Sequence, residues 1–134
     1  MNAFPLRIVT PDCMAFEGQV EELIVRTTSG DLGILAGHVN CVAPLGMGVA
    51  TILMDGKKRY GACIGGMLSV MNGKATLVPT TFEWADEIDV DRAKASMARA
   101  EAMLADPNCD EQTRQYANAR IKRAQVRLSI AEKK

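Results

Sequence analysis

The glycines of this chain stop partway. All eleven lie at or before Gly73, and the sequence then runs to residue 134 without another. Glycine gives tight turns the positive φ they need, and it costs a helix interior about 1 kcal/mol relative to alanine. The two parts are therefore suited to different backbones. The first can turn often, and the second can sustain long helices.

Up to Trp84 the apolar residues come in short runs. FPLRIVT, QVEELIVRTT, VATILMD, RYGACIGGMLSVM and KATLVP are rich in Val, Ile, Leu and Thr and are separated by turn residues. Such runs read as strands. Asp55-Gly56 and Asn72-Gly73 each lie between two apolar runs, and these dipeptides suit two-residue hairpin turns whose central residues both need positive φ. Strands spaced roughly ten residues apart, about six or more of them, predict an antiparallel sandwich or barrel.

After Trp84 the period changes. ADEIDVDRAKASMARAEAMLA contains no Gly or Pro and is loaded with strong helix formers. Asp89 is placed to cap this helix, and Asp91 suits the dipole of its first turn. Val90, Ala93, Met97, Ala100 and Leu104 make one narrow apolar stripe. Asp106-Pro107-Asn108 breaks the helix, and Asp110 can cap a second one. There Ala117, Ile121, Ala124, Leu128 and Ala131 repeat at helical spacing. Two helices joined by a short loop predict an antiparallel hairpin. Its seams are rich in alanine and bury little area, so the hairpin is expected to be weakly held. The fold class is thus α+β, with a strand-rich domain over residues 1–86 and a helical hairpin over 87–134.

Several functions are disfavoured by composition. Sixteen basic side chains balance sixteen acidic ones, which leaves no global field for nucleic acid. No apolar run approaches the roughly 20 residues of a membrane span. The first residues, MNAFPLRIVTPD, carry no secretory pattern. Cys13, Cys41, Cys63 and Cys109 are scattered without C-x-x-C spacing. They are expected to be small buried apolar residues in a reducing interior, not disulfide partners or zinc ligands. The basic stretch from Arg114 onward reads as a solvated face or as a surface for acidic partners or a phosphate.

The stretch SGDLGILAGHVN, residues 29–40, holds three glycines and the one histidine, His38. A phosphate cradle needs a following helix and normally a nearby Lys or Arg. This stretch has neither, since strand-like VNCVAPL follows it. His38 also lacks the partners of a triad or a metal site. The glycines therefore read as turn and bulge positions, and a small hydrolase built on His38 is disfavoured.

Taken in order, SGDLGILAGH, GGMLSV, IDVDRAKA and the terminal KRAQVRLSIAEKK resemble the epsilon subunit family of F-type ATP synthases. The resemblance covers essentially the whole chain, with Asp31, Leu32, Gly33, Ile34, Gly37 and His38 in the family's loop pattern and Ala36 where proline is usual. It implies a ten-stranded β-sandwich that binds the rotor, followed by a regulatory hairpin. It also implies a non-catalytic central-stalk subunit that couples proton or sodium flow to ATP synthesis and inhibits hydrolysis. The implied partners are the gamma subunit and the c-ring, through Asp31, Leu32 and His38, and the alpha and beta subunits when the hairpin extends. The implied place is the cytoplasmic face of a bacterial cell membrane, reached only through the complex.

Certain bacterial relatives bind ATP on an I/L-D-x-x-R-A motif, matched here by Ile88, Asp89, Arg92 and Ala93. The resemblance extends that site to Glu83, Arg99, Arg123 and Arg127. No cofactor is required, and ATP enters only as a regulatory ligand. Arginines on facing helices can make charge-assisted bonds to phosphates. The alternative for Asp89 is a plain helix cap, and for the arginines a solvated face. The alternative for the whole chain is a free-standing sandwich-and-hairpin adaptor that binds some other protein.

Overall fold

A computed structural model describes residues 2–133. Two compact units divide the chain between Trp84 and Ala85.

Among the described residues, ten strands form the first unit as two five-stranded sheets. One sheet runs β2 (Met14–Val20), β1 (Phe4–Val9), β9 (Lys74–Val78), β8 (Met67–Met71) and β5 (Cys41–Pro44). The other runs β10 (Thr81–Trp84), β7 (Lys57–Ile64), β6 (Met47–Met54), β3 (Glu22–Thr27) and β4 (Gly30–Leu35). Neither sheet closes on itself, and their buried side chains form one core, so the architecture is a sandwich and not a barrel. Alternation decides which residues enter that core, because successive strand side chains point to opposite faces. Leu6 and Ile8 of β1, Leu23 and Val25 of β3, and Leu77 of β9 are buried completely.

The Asp55-Gly56 and Asn72-Gly73 turns are as expected. Their φ values are 50° and 75°, and 51° and 79°, and they join Met54 to Lys57 and Met71 to Lys74 as direct cross-strand partners. The sandwich departs from pure antiparallel pairing at one place. β1 pairs with β9 in parallel, Leu6 opposite Ala75 and Ile8 opposite Leu77. No local turn can join such strands, so nothing in the local sequence announces the pair.

The glycine-rich stretch keeps its expected turns, with Gly30 and Gly37 at φ 119° and 82°, but it holds no bulge. Residues 30–35 are strand β4, paired in unbroken register with β3 from Thr27↔Gly30 to Glu22↔Leu35. The one register shift beside β1 lies between Ile8 and Val9, against β2. The turn is Thr28-Ser29, pinned by Thr27, whose hydroxyl donates to the Gly30 carbonyl at 2.7 Å and accepts from the Ser29 N–H at 3.1 Å. At the end of the unit, Trp84 meets the edges of Phe82 and Phe16 at 4.9 and 6.0 Å. The Arg59 guanidinium lies 3.7 Å over its ring centroid.

The cysteines are free, but only Cys63 is buried as expected. Cys13 is exposed because it closes the β1–β2 turn, where its N–H donates to the Thr10 hydroxyl at 3.2 Å. Cys41 and Cys109 are half-buried.

The second unit opens with a 3-10 turn, Ala85–Glu87, and continues as α1 (Val90–Ala105) and α2 (Glu111–Ala131). Asp89 caps α1, accepting from the Arg92 N–H at 3.0 Å. Asp110 caps α2, accepting from the Thr113 N–H at 2.7 Å. The expected stripes meet in an antiparallel seam whose fully packed members are alanines: Ala93 and Ala100 on α1, Ala117 and Ala124 on α2. Each buried methyl removes apolar surface worth about 0.8 kcal/mol, against roughly 1.5–3 kcal/mol for a leucine. Among the described residues, no helix is long and apolar enough to cross a membrane.

Candidate functional site

Two places carry the residues singled out above, one in each unit. The first is the outer edge of the β3–β4 hairpin. Strict pairing sets Asp31 opposite Arg26, and the Arg26 guanidinium meets the Asp31 carboxylate at 2.8 Å with both side chains more than half exposed. Leu32 is half-buried against the core. His38 follows the positive-φ residue Gly37, and its backbone N–H donates to the Leu35 carbonyl at 3.1 Å. The His38 Nδ1 lies 2.8 Å from the Val39 carbonyl. A carbonyl only accepts, so in this bond Nδ1 is the donor. Among the described residues, no three His, Cys, Asp or Glu side chains gather as a metal would require. The chemistry available here is adhesion: an edge strand, one ion pair and one imidazole.

The second place is one flank of the helical hairpin. Arg92, Ser96 and Arg99 repeat at 4-3 spacing on α1, immediately beside the Ala93–Ala100 seam. Arg120, Arg123 and Arg127 repeat at 3-4 spacing on α2, immediately beside Ala124. The Arg120 Nε donates to the Ser96 Oγ at 3.2 Å, so the two rows border the same side of the seam. In an antiparallel pair, a step down one row matches a step up the other. Arg92 is therefore level with the Arg123–Arg127 turn and Arg99 with the turn before Arg120, while the Arg99 Nε donates back to the Ala95 carbonyl of its own helix at 3.4 Å. Five arginines thus occupy positions along the two rows. Arg92, Arg99 and Arg123 form no ion pair among the described residues.

Residue by residue, Arg92, Arg99, Arg123 and Arg127 are thus brought to one side of one unit. Asp89 lies at its start as the cap of α1. Ile88 and Ala93 are buried, with 6% and 5% of their surface exposed, so their side chains contribute packing. Glu83 lies in β10, in the first unit, opposite Ala62. The opposite flank of the hairpin holds a hollow of about 280 Å³ lined by Val90, Lys94, Leu128, Ala131 and Glu132, none of them an arginine of the expected site. Sequence reasoning missed Arg120, Ser96 and Arg26. The 3-4 repeat of arginines on α2 was a signal for the first. The partner of Asp31 needed the strand register.

Comparison with known proteins brings the two units under one description. Residues 3–85 match the family model described as ATP synthase, Delta/Epsilon chain, beta-sandwich domain, and residues 86–132 match its long alpha-helix domain. The chain is 41% identical over 133 residues to an ATP synthase epsilon chain of Bacillus pumilus, covering 99% of this chain and 100% of that one. It is 39% identical over 132 residues to one from Caldicellulosiruptor bescii, covering 98% and 96%. Among solved structures, a chain in the cryo-EM structure of the Euglena gracilis mitochondrial ATP synthase, OSCP/F1/c-ring, superposes with a TM-score of 0.70. The two are 25% identical, over 97% of this chain and 78% of that one. A chain of the Tetrahymena thermophila central stalk and c-ring shares the fold, with a TM-score of 0.61 at 12% identity and 95% of each chain covered.

Proposed function

The chain belongs to the ATP synthase delta/epsilon family, and on that premise we propose that its sandwich binds the rotor while its hairpin restrains hydrolysis. It is an epsilon-type subunit of an F-type ATP synthase and not a catalyst. Full-length similarity to epsilon chains leaves nothing that favours a free-standing adaptor.

In this reading the β3–β4 edge, through Asp31, Leu32 and His38, meets the gamma subunit and the c-ring. An edge strand with an exposed ion pair is suited to such a contact. The subunit would then lie at the cytoplasmic face of the bacterial membrane, held there by the complex, and take part in coupling proton or sodium flow to ATP synthesis. The hairpin regulates. Its alanine seam is cheap to open, so closed and extended forms lie within a few kcal/mol of each other. Extended, it reaches alpha and beta and blocks hydrolysis.

ATP is the proposed regulatory ligand. The single observation that carries this is the shared flank of Arg92, Arg99, Arg123 and Arg127, which can embrace a phosphate chain only while the helices are paired. A ligand that prefers the closed form shifts the population by its differential affinity, about 1.4 kcal/mol per tenfold. Titrating the full chain with ATP by calorimetry is expected to show saturable binding at or below millimolar concentration. Arg92→Ala and Arg123→Ala should each weaken it by roughly 10- to 100-fold, the range of one hydrogen bond to a charged group. Binding indifferent to both substitutions would remove the site and leave the rotor reading intact.

A further inference from the structure

Arg120 lies outside the nucleotide set, yet its side chain crosses the seam. Its Nε donates to Ser96 Oγ at 3.2 Å in a partly buried position, and its Nη1 donates to the Tyr116 hydroxyl at 3.2 Å. Its guanidinium also faces the Tyr116 ring, 5.6 Å from the centroid. Tyr116 is on the same helix, one turn back, so it orients the guanidinium, while Ser96 is the contact on the other helix. A planar fork can serve two acceptors at a fixed angle, which a lysine ammonium on its flexible stem does not reproduce.

The seam has need of such a contact. The fully packed members of the seam are alanines, and their small methyls fix the offset of two helices weakly. Like charges on Arg92, Arg99 and Arg123 also push the two rows apart. We infer that Arg120 is a positioning residue: through Ser96 it holds the two arginine rows at the offset where one anion meets both, without itself binding the ligand. This rests on the nucleotide reading for its effect on ATP, and on the geometry alone for its effect on the helix pair.

The experiment uses the full chain and two measurements, amide hydrogen exchange of α1 and α2 without ligand, and ATP affinity by calorimetry. Ser96→Ala is expected to speed exchange in both helices about fivefold to tenfold, the equilibrium worth of one hydrogen bond. Alanine has the higher helix propensity, so a propensity effect would run the other way. Ser96→Thr keeps the hydroxyl and should return exchange to within about twofold of the unaltered chain. Arg120→Lys should fall between, and Tyr116→Phe should cost less than Ser96→Ala.

ATP affinity should also fall in Ser96→Ala, because one anion bridges both rows only at the offset that this contact holds. Unchanged exchange in Ser96→Ala, or equal damage in Ser96→Ala and Ser96→Thr, overturns the inference. So does faster exchange with undiminished ATP affinity. No ATP binding by the unaltered chain overturns the nucleotide reading instead, and exchange alone then decides whether Arg120 holds the pair.

Discussion

Asp31 shows how little a surface residue reveals by type alone. The family resemblance makes it an interface candidate, and the strand register adds that its charge is already answered by Arg26 at 2.8 Å. Both side chains are well exposed, so the pair is screened and adds at most about 1 kcal/mol. Asp31→Lys should therefore shift thermal unfolding of the isolated chain by no more than that, while weakening reconstitution with gamma and the c-ring. A large stability loss with normal assembly would reverse the assignment. Cys63 is the opposite case. Burial pushes its thiol up to about 12, so almost no thiolate exists at neutral pH. A thiol reagent at pH 8 should label Cys13 first and reach Cys63 only as the chain unfolds. Asp110 titrates the other way. The Thr113 side chain and then its N–H hold the carboxyl below its usual value of 3.8. A lowered native value means that the cap is fully present above the ordinary carboxylate range and is lost as pH falls through the native one. Acid should thus fray the start of α2, as followed by exchange at its first turn, and Asp110→Asn should remove that pH dependence.

At the scale of elements, the clearest signals were those whose geometry is local. Asp-Gly and Asn-Gly turns need positive φ at both residues, and a cap needs an acceptor two or three residues before the N–H it serves, so a few neighbouring residues suffice to place them. Strand β4 was hidden for the converse reason. GDLGIL has two glycines and little alternation, and it is held extended by its ladder to β3, a partner that composition cannot supply. The alanine seam was visible from its spacing, and its smallness is its working property. Ala100→Leu or Ala117→Leu should wedge the helices apart and destabilise their pairing by about 1–3 kcal/mol, the usual cost of overpacking. Exchange in α1 and α2 should accelerate accordingly, with the sandwich amides unchanged. Equal acceleration in β6 and β7 would mean that the seam supports the whole chain.

For the whole molecule, the decisive pairing is the parallel contact of β1 with β9. It ties the start of the first unit to its penultimate strand, and β2 pairs only with β1 in that sheet. The unit is closed by its own residues, and its core draws on strands from both sheets. A chain ending at residue 87 should therefore unfold in one cooperative transition. Trp84, the one tryptophan and only 5% exposed, reports it by fluorescence. A broad, non-cooperative loss of signal would show that the hairpin completes the core.

The sequence by itself determined where the backbone changes character, where hairpins reverse and helices are capped, and which helical faces are apolar. Each of these depends on φ preferences, donor–acceptor spacing or periodicity within about one or two turns of chain. It also carried enough of the family's ordered motifs to point to an ATP synthase subunit. Tertiary structure alone decided the parallel β1–β9 pair, the Arg26–Asp31 contact and the place where Arg120 meets Ser96. Those are relations between residues on different elements. They arise because burying two strand faces and one alanine seam selects particular partners and offsets, and that selection is made by packing between elements and not by any residue's own preference.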